Sequence, residues 1–161
     1  MNVRIRRVCD ADVETLVDLT LRAFVPVFES FPRLLGPKIY PMLWPDWKQS
    51  QRDAVERFCR DSEKPVVLVA ETDAEVVGFA AYEIRSEGNT GEVLLVAVDP
   101  NHQRQGIGTQ LNEQALREMA EAGVKLAIVE AGGDASHAPA RRSYEKAGYT
   151  ALPLVRYFKK L

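Results

Sequence analysis

The sequence predicts a mixed α/β (α+β) sandwich, one domain over residues 1–161, with elements in the order β-α-α-β-β-β-α-β-α-β. Three observations carry this. Apolar runs of strand length recur at 65–70, 76–82, 92–98 and 124–129. Between and around them lie stretches with apolar residues at steps of three and four. Glycine, proline or aspartate marks nearly every junction.

Val3-Arg4-Ile5-Arg6-Arg7-Val8 alternates with period two and reads as the first strand. Asp10 is the candidate N-cap of a helix carrying Val13, Leu16, Val17, Thr20, Ala23 and Phe24 on one face. Pro26, Pro32, Pro37, Pro41 and Pro45 then argue against a long regular element, and Phe28, Phe31, Tyr40 and Trp44 are interleaved with them. Those aromatics need a core, a pocket or a partner. A second helix is expected from near Asp46, with Trp47, Ala54, Val55 and Phe58 on one side.

Pro65-Val66-Val67-Leu68-Val69-Ala70 and Val76-Val77-Gly78-Phe79-Ala80-Ala81-Tyr82 form a hairpin across the turn Thr72-Asp73-Ala74-Glu75. After Ser86-Glu87-Gly88-Asn89, Glu92-Val93-Leu94-Leu95-Val96-Ala97-Val98 is a third core strand, stopped by Asp99-Pro100. Ile107, Leu111, Ala115 and Met119 then define a helix that Gly123 ends. Val124–Val129 is a strand, and a last helix runs from about His137 to Ala147 with Gly148 beyond it. Leu154-Val155-Arg156-Tyr157-Phe158 is the terminal strand, whose apolar edge suits pairing between subunits in a homodimer.

Composition excludes several classes. Hydrophobic residues make up 46% and charged residues 27%, so the chain is neither disordered nor fibrous. A net charge of −2 argues against a nucleic-acid binder. The longest apolar run, Val93–Val98, fills one strand and cannot cross a bilayer, so no membrane partner is expected. The first residues lack an apolar signal region, and Cys9 and Cys59 stand 50 residues apart with no metal-ligand spacing. A cytoplasmic protein without a metal is the expectation.

The chemistry gathers in Val98-Asp99-Pro100-Asn101-His102-Gln103-Arg104-Gln105-Gly106-Ile107-Gly108-Thr109. A buried strand runs into a loop with two glycines, and the loop opens a helix. Such a helix start offers unpaired N–H groups and a positive dipole end to an anion. Leu111 stands where a dinucleotide fingerprint needs its third glycine, and Gly108-Thr109-Gln110 fails a Walker loop. An ordinary strand–helix turn, with glycines for packing, is the structural alternative.

Gln103-Arg104-Gln105-Gly106-Ile107-Gly108 resembles the acyl-CoA motif of the GNAT superfamily of N-acetyltransferases, Gln/Arg-x-x-Gly-x-Gly/Ala. Ser143-Tyr144-Glu145-Lys146-Ala147-Gly148-Tyr149 resembles that family's late helix, Tyr-Glu-Lys-x-Gly-Phe/Tyr. Order, separation and element string all match, so the resemblance covers nearly the whole chain. It implies acetyl-CoA as cosubstrate and direct transfer to the primary amine of a small molecule or peptide in a ternary complex. Backbone N–H groups across Gln103, Arg104, Gln105, Gly106, Ile107, Gly108 and Thr109 would hold the pyrophosphate. The backbones of Val96 and Val98 would bind the pantetheine arm, with the Val96 N–H serving the thioester carbonyl.

The same resemblance makes Tyr144 the general acid for the departing thiolate and Glu92, 14 residues before Gly106, the base. A Glu beside a buried strand suits that role if its pKa is raised. Glu83, Glu130 or a water relay are alternatives. His137 stands seven residues before Tyr144, where the family often has a cofactor-binding Asn, and a His ring could make the same contact. His102 is expected on an exposed loop, and Arg141 and Arg142 either meet phosphates or form a solvated helix face. The helix 1–helix 2 region, with Phe24, Phe28, Phe31, Tyr40, Trp44 and Trp47, would shape the amine site. A non-catalytic acyl-CoA sensor on the same fold is the alternative function.

Overall fold

The computed structural model describes residues 2–60, 64–73, 75–85, 87 and 89–161. Met1, Ala74 of the hairpin turn, and Ser86 and Gly88 of the next turn lie outside them. Five strands form one open sheet in sequential order: β1 (Arg4–Arg7), β2 (Val66–Thr72), β3 (Glu75–Arg85), β4 (Thr90–Val98) and β5 (Leu126–Val129). β1 to β4 pair antiparallel, and β5 runs parallel to β4. A parallel neighbour needs a crossover, and α4 (Ile107–Glu121) supplies it.

The strands are apolar on both faces because both faces are covered. On one, Leu68, Ala70, Tyr82 and Val93 pack with Ile107, Leu111, Ala115 and Met119 of α4. On the other, Val67, Val69, Phe79, Ala81 and Ala97 pack with Leu16, Val17 and Leu19 of α1 (Val13–Ala23) and Val55 of α3 (Trp47–Arg60). α5 (Ala138–Lys146) follows β5 and lies against α4.

Three expectations are corrected. The proline-rich stretch is helical, α2 (Val25–Leu43). Pro26 sits in the first turn, where its missing N–H costs nothing, and Gly36 at φ 71° breaks the helix so that Pro37 opens its second part. The carboxylate at the entry to α1 is Asp12, not Asp10: the Cys9 N–H donates to Asp12 Oδ2 at 2.8 Å. The Arg6 guanidinium binds both Asp12 oxygens, at 2.7 and 2.9 Å, and Glu71 at 2.8 Å. The third correction concerns 154–158, which form no strand; residues 150–161 are exposed and without regular structure. A period-two pattern gives a segment a face but not a partner edge.

Candidate functional site

The site begins with a register slip. Ala81 of β3 faces Leu95 and Tyr82 faces Val93, so Leu94 is an extra residue on β4. The slip reverses which side each residue takes. Val93 packs on the α4 face, Leu95 on the α1 face, and Val96 and Val98 again on the α4 face. It also turns the backbone. The Asp99 N–H donates to Val77 O of β3 at 2.9 Å. By alternation Ala97 and Leu95 also bond toward β3, while Val96 and Val98 present N–H and C=O to the opposite side.

On that opposite side β5 is no longer there. Pairing between β4 and β5 ends at Val93–Val129, so the two strands part beyond the bulge. The gap between them leaves the backbone of Val96 and Val98 without a strand partner on this side. The Gln103 side chain reaches in and donates from Nε2 to Val98 O at 3.1 Å.

Beyond Val98 the chain turns sharply into α4. Asp99 accepts from the Asn101 N–H at 2.9 Å and pairs with Arg22. Arg104 takes φ 62° and Gly106 φ 81°, left-handed conformations that point successive amides outward. The first helical bond is Gln110 N–H to Gly106 O, leaving the N–H groups of Ile107, Gly108 and Thr109 without intrahelical acceptors. Gln103, Arg104, Gln105 and Gly106 are exposed. The Ile107 side chain is core, so that position offers only its amide. Gly108 closes on β4: a Cβ there would stand 3.6 Å from Val98 Cγ2 and 3.8 Å from Val96 Cγ1. The unpaired amides and the positive end of the helix dipole give the start of α4 the character that suits an anion.

α5 borders the same region. Thr109 Oγ1 lies 3.2 Å from Ser143 Oγ, tying the start of α4 to α5 one residue before Tyr144. The Tyr144 ring meets Tyr149 edge-on at 5.8 Å. Burial pushes the Tyr144 phenol up to about 12, with Tyr149 adding to the shift, so it keeps its proton throughout the neutral range. Tyr149 donates to Asn112 Oδ1 at 3.3 Å and is itself shifted up by burial.

Glu92 lies directly across from Glu83 on adjacent strands. Arg85 bridges them, 2.7 Å from Glu83 and 2.5 Å from Glu92. Four residues separate Glu92 from Val96, about 13 Å of strand, so the structure does not bring that carboxylate against the cleft backbone. Glu130 is exposed beyond β5.

His137 is held from two sides, with the Ser136 hydroxyl also 3.3 Å from its Nδ1. Its Nδ1 lies 2.6 Å from Asp134 Oδ1, and its ring stacks on Phe31 of α2 at 5.9 Å. Ser30 Oγ donates to Asp134 Oδ2 at 2.8 Å, and the Ser136 hydroxyl binds the same oxygen. Arg141 donates to the backbone carbonyls of Gly132 and Asp134, a local tie, while Arg142 is exposed. Burial alone would raise the Asp134 carboxyl, yet hydrogen bonds from Ser136, Ser30 and His137 hold it well below the usual range. Sequence reasoning missed this bridge between α2 and the loop after β5. Its only local signal was the Asp134-x-x-His137 spacing at a helix entry. His102, expected on an exposed loop, is half-buried, 3.9 Å from Asp99.

The aromatics do cluster. Phe28 stacks on Trp47 at 4.4 Å, Phe31 on Trp44 at 4.8 Å, and Tyr40 lies 5.8 Å from Trp44. Phe24 instead packs on the core beneath α1. The wall reaches the site through Phe31 and His137. Among the described residues no group of three His, Cys, Asp or Glu is placed to hold a metal, and no helix is long and apolar enough to cross a membrane.

Comparison with known proteins agrees with this geometry. The model of the acetyltransferase (GNAT) family matches residues 36–149. Mycothiol acetyltransferase of Streptomyces bingchenggensis is 34% identical over 83 residues, 52% of this chain and 26% of that protein. The chain thus matches about a quarter of that relative's length. The PaiA N-acetyltransferase of Thermoplasma acidophilum, solved with coenzyme A, superposes with a TM-score of 0.70 at 20% identity, covering 93% of this chain and 91% of that one. An aminoglycoside acetyltransferase from an uncultured soil metagenomic sample, solved with sisomicin, gives 0.62 at 23% identity, covering 99% and 95%.

Proposed function

This chain belongs to the GNAT acetyltransferase family, and from that premise we propose that it transfers an acetyl group from acetyl-CoA to a primary amine. The observation that carries the reading is the cleft: the Val96 backbone and the Val98 N–H left without a strand partner beyond the bulge, near the unpaired amides at the start of α4. A phosphorylated cosubstrate with an amide-bearing arm needs that sequence of donors and acceptors. Acetyl-CoA supplies the activated thioester.

The chain's own groups do the rest. The amides of the 103–109 loop, with the Gly108 and Thr109 N–H groups foremost, hold the pyrophosphate. Val96 and Val98 bond the pantetheine arm as a missing strand would, and the Val96 N–H is the donor for the thioester carbonyl, stabilising negative charge as it develops there. The amine lone pair attacks the carbonyl carbon, the carbon–sulfur bond breaks, and sulfur leaves with the bonding pair. Tyr144 donates to that sulfur. Burial raises the Tyr144 phenol above its ordinary value, so it holds its proton tightly. Tyr144 therefore acts first as a hydrogen-bond donor, and solvent or the released proton completes the transfer.

The amine proton goes to Glu92 through water, which the separation along β4 requires. That carboxylate must then share Arg85 or give it up. His137, with Nδ1 committed to Asp134, keeps Nε2 for a bond to the cofactor arm. The acceptor is a small molecule or peptide amine received against the aromatic wall, and the names of the relatives favour a small molecule.

Calorimetric titration with acetyl-CoA, with NAD and ATP as controls, tests the reading. Selective acetyl-CoA binding supports it and leads to an amine screen read by free coenzyme A thiol. Folded protein that binds neither acetyl-CoA nor a longer acyl-CoA refutes it.

A further inference from the structure

α2 is anchored at one end. Of its 19 residues Val27 and Phe28, both at its start, are the buried ones. Farther along, Leu34 and Met42 are 65 and 64% exposed, and Gly36 breaks the helix. An element with so little burial is set in place by its few specific contacts. Two of these go to the turn before α5. Ser30 Oγ donates to Asp134 Oδ2 at 2.8 Å, and its neighbour Phe31 stacks on His137 with the ring planes 21° apart. The stack continues, for Phe31 lies on Trp44 at 4.8 Å and 25°. Three rings, His137, Phe31 and Trp44, thus run from the entry of α5 to the end of α2.

The turn is the firm side of this joint. Asp134 accepts from the backbone N–H and hydroxyl of Ser136 and from His137 Nδ1. Arg141 ties down the carbonyls of Gly132 and Asp134. A Cβ on Gly132 would stand 2.5 Å from His137 Nδ1 and 2.8 Å from Asp134 Oδ1, so the backbone closes directly over the pair. Among the described residues every hydrogen bond to the His137 ring falls on Nδ1. A single carboxylate therefore holds both α2, through Ser30, and the ring against which α2 stacks.

We propose that Ser30 and Asp134 are positioning residues that couple the cofactor side of the site to the aromatic wall. A hydrogen bond made at His137 Nε2 fixes the plane of the ring, and the Ser30–Asp134 bond keeps Phe31 and Trp44 in register with that plane. The inference rests on the acetyl-CoA reading above. Such coupling is reciprocal: whatever orders the wall tightens the hold at His137 by the same factor.

Trp44 and Trp47 are the two tryptophans of the chain, and both stand in the wall, so their emission reports it. Acetyl-CoA is titrated into the parent, Ser30→Ala and Ser30→Thr proteins, with calorimetry reading binding and tryptophan emission reading the wall. In the parent the emission is expected to change along the calorimetric binding curve. Ser30→Ala is expected to lose that change while its acetyl-CoA affinity falls no more than about fivefold, the low end of ordinary coupling between sites. Ser30→Thr keeps the hydroxyl and is expected to keep the response. A parent that binds acetyl-CoA with no emission change, or a Ser30→Ala protein that responds as the parent does, overturns the proposal and leaves the enzymatic reading standing. Loss of the response in Ser30→Thr as well overturns the role given to the hydroxyl. A parent that shows no calorimetric binding overturns the enzymatic reading, and this inference falls with it.

Discussion

Replacing Gly106 by alanine separates anion binding from the fold. Gly106 lies at φ 81°, and a Cβ built there has no atom within 4 Å. The stability cost is therefore conformational, about 1 kcal/mol for a side chain held in the left-handed region. The same Cβ would stand in open space at the residue that precedes the free amides of Ile107, Gly108 and Thr109. Losing one charge-assisted bond to an incoming phosphate costs about 1.5–3 kcal/mol, which weakens acetyl-CoA binding roughly 10- to 150-fold. Gly108→Ala is the control. Its Cβ faces Val98 and Val96 at ordinary contact distance, not the solvent side. Removing a helical glycine there should leave stability equal or raised by up to about 1 kcal/mol, with acetyl-CoA affinity within threefold. Calorimetry gives the affinities and urea titration the stabilities. If Gly106→Ala binds acetyl-CoA as the parent does while losing the expected stability, the amides at this helix start do not hold the phosphates.

Tyr144→Phe should lower kcat at least about 100-fold, in the usual range for a lost acid, with acetyl-CoA affinity nearly unchanged; undiminished turnover removes Tyr144 from the mechanism. Glu92→Gln should lower the rate most at mildly acidic pH, and a pH–rate profile of unchanged shape and height excludes Glu92 as base. The last prediction concerns Asp12, whose carboxyl the Arg6 guanidinium lowers from 3.8 to about 2. A depressed acid contributes stability above its unfolded pKa and loses it as pH falls through the folded one. Asp12→Asn should therefore cost about 2 kcal/mol at pH 7 and almost nothing at pH 2. Equal gaps in urea midpoint at the two pH values would show that the shift is not coupled to folding.

How much of this could be read from the chain depended on whether the cause was local. The β2–β3 hairpin, the glycine turn into α4 and the Gly123 and Gly148 helix ends were legible, because turn chemistry and periodicity act over a few residues. The Leu94 bulge was not. It falls inside Val93-Leu94-Leu95-Val96, where every residue is apolar and no alternation exists to be broken. The prolines of α2 misled because their cost depends on position: Pro26 lies in the first turn and Pro37 follows the Gly36 break, while Pro32 and Pro41 sit within helical turns. Asp134 reaches Ser30 across 104 residues, and no local pattern encodes that contact. The 154–158 segment has strand character without a strand, because pairing is a property of two edges.

The extra residue at Leu94 also bears on how such a site arises. Without it, β4 would keep one phase throughout, and the groups of Val96 and Val98 that open onto the cleft would turn toward β3. Ala97 would take the α4 face. The outward turn of Val96 and Val98 thus hangs on one extra residue, which exchanges inside for outside over the rest of the strand. Side chains along β4 can change one at a time, but the phase of its backbone cannot: a strand is either in phase or out of it.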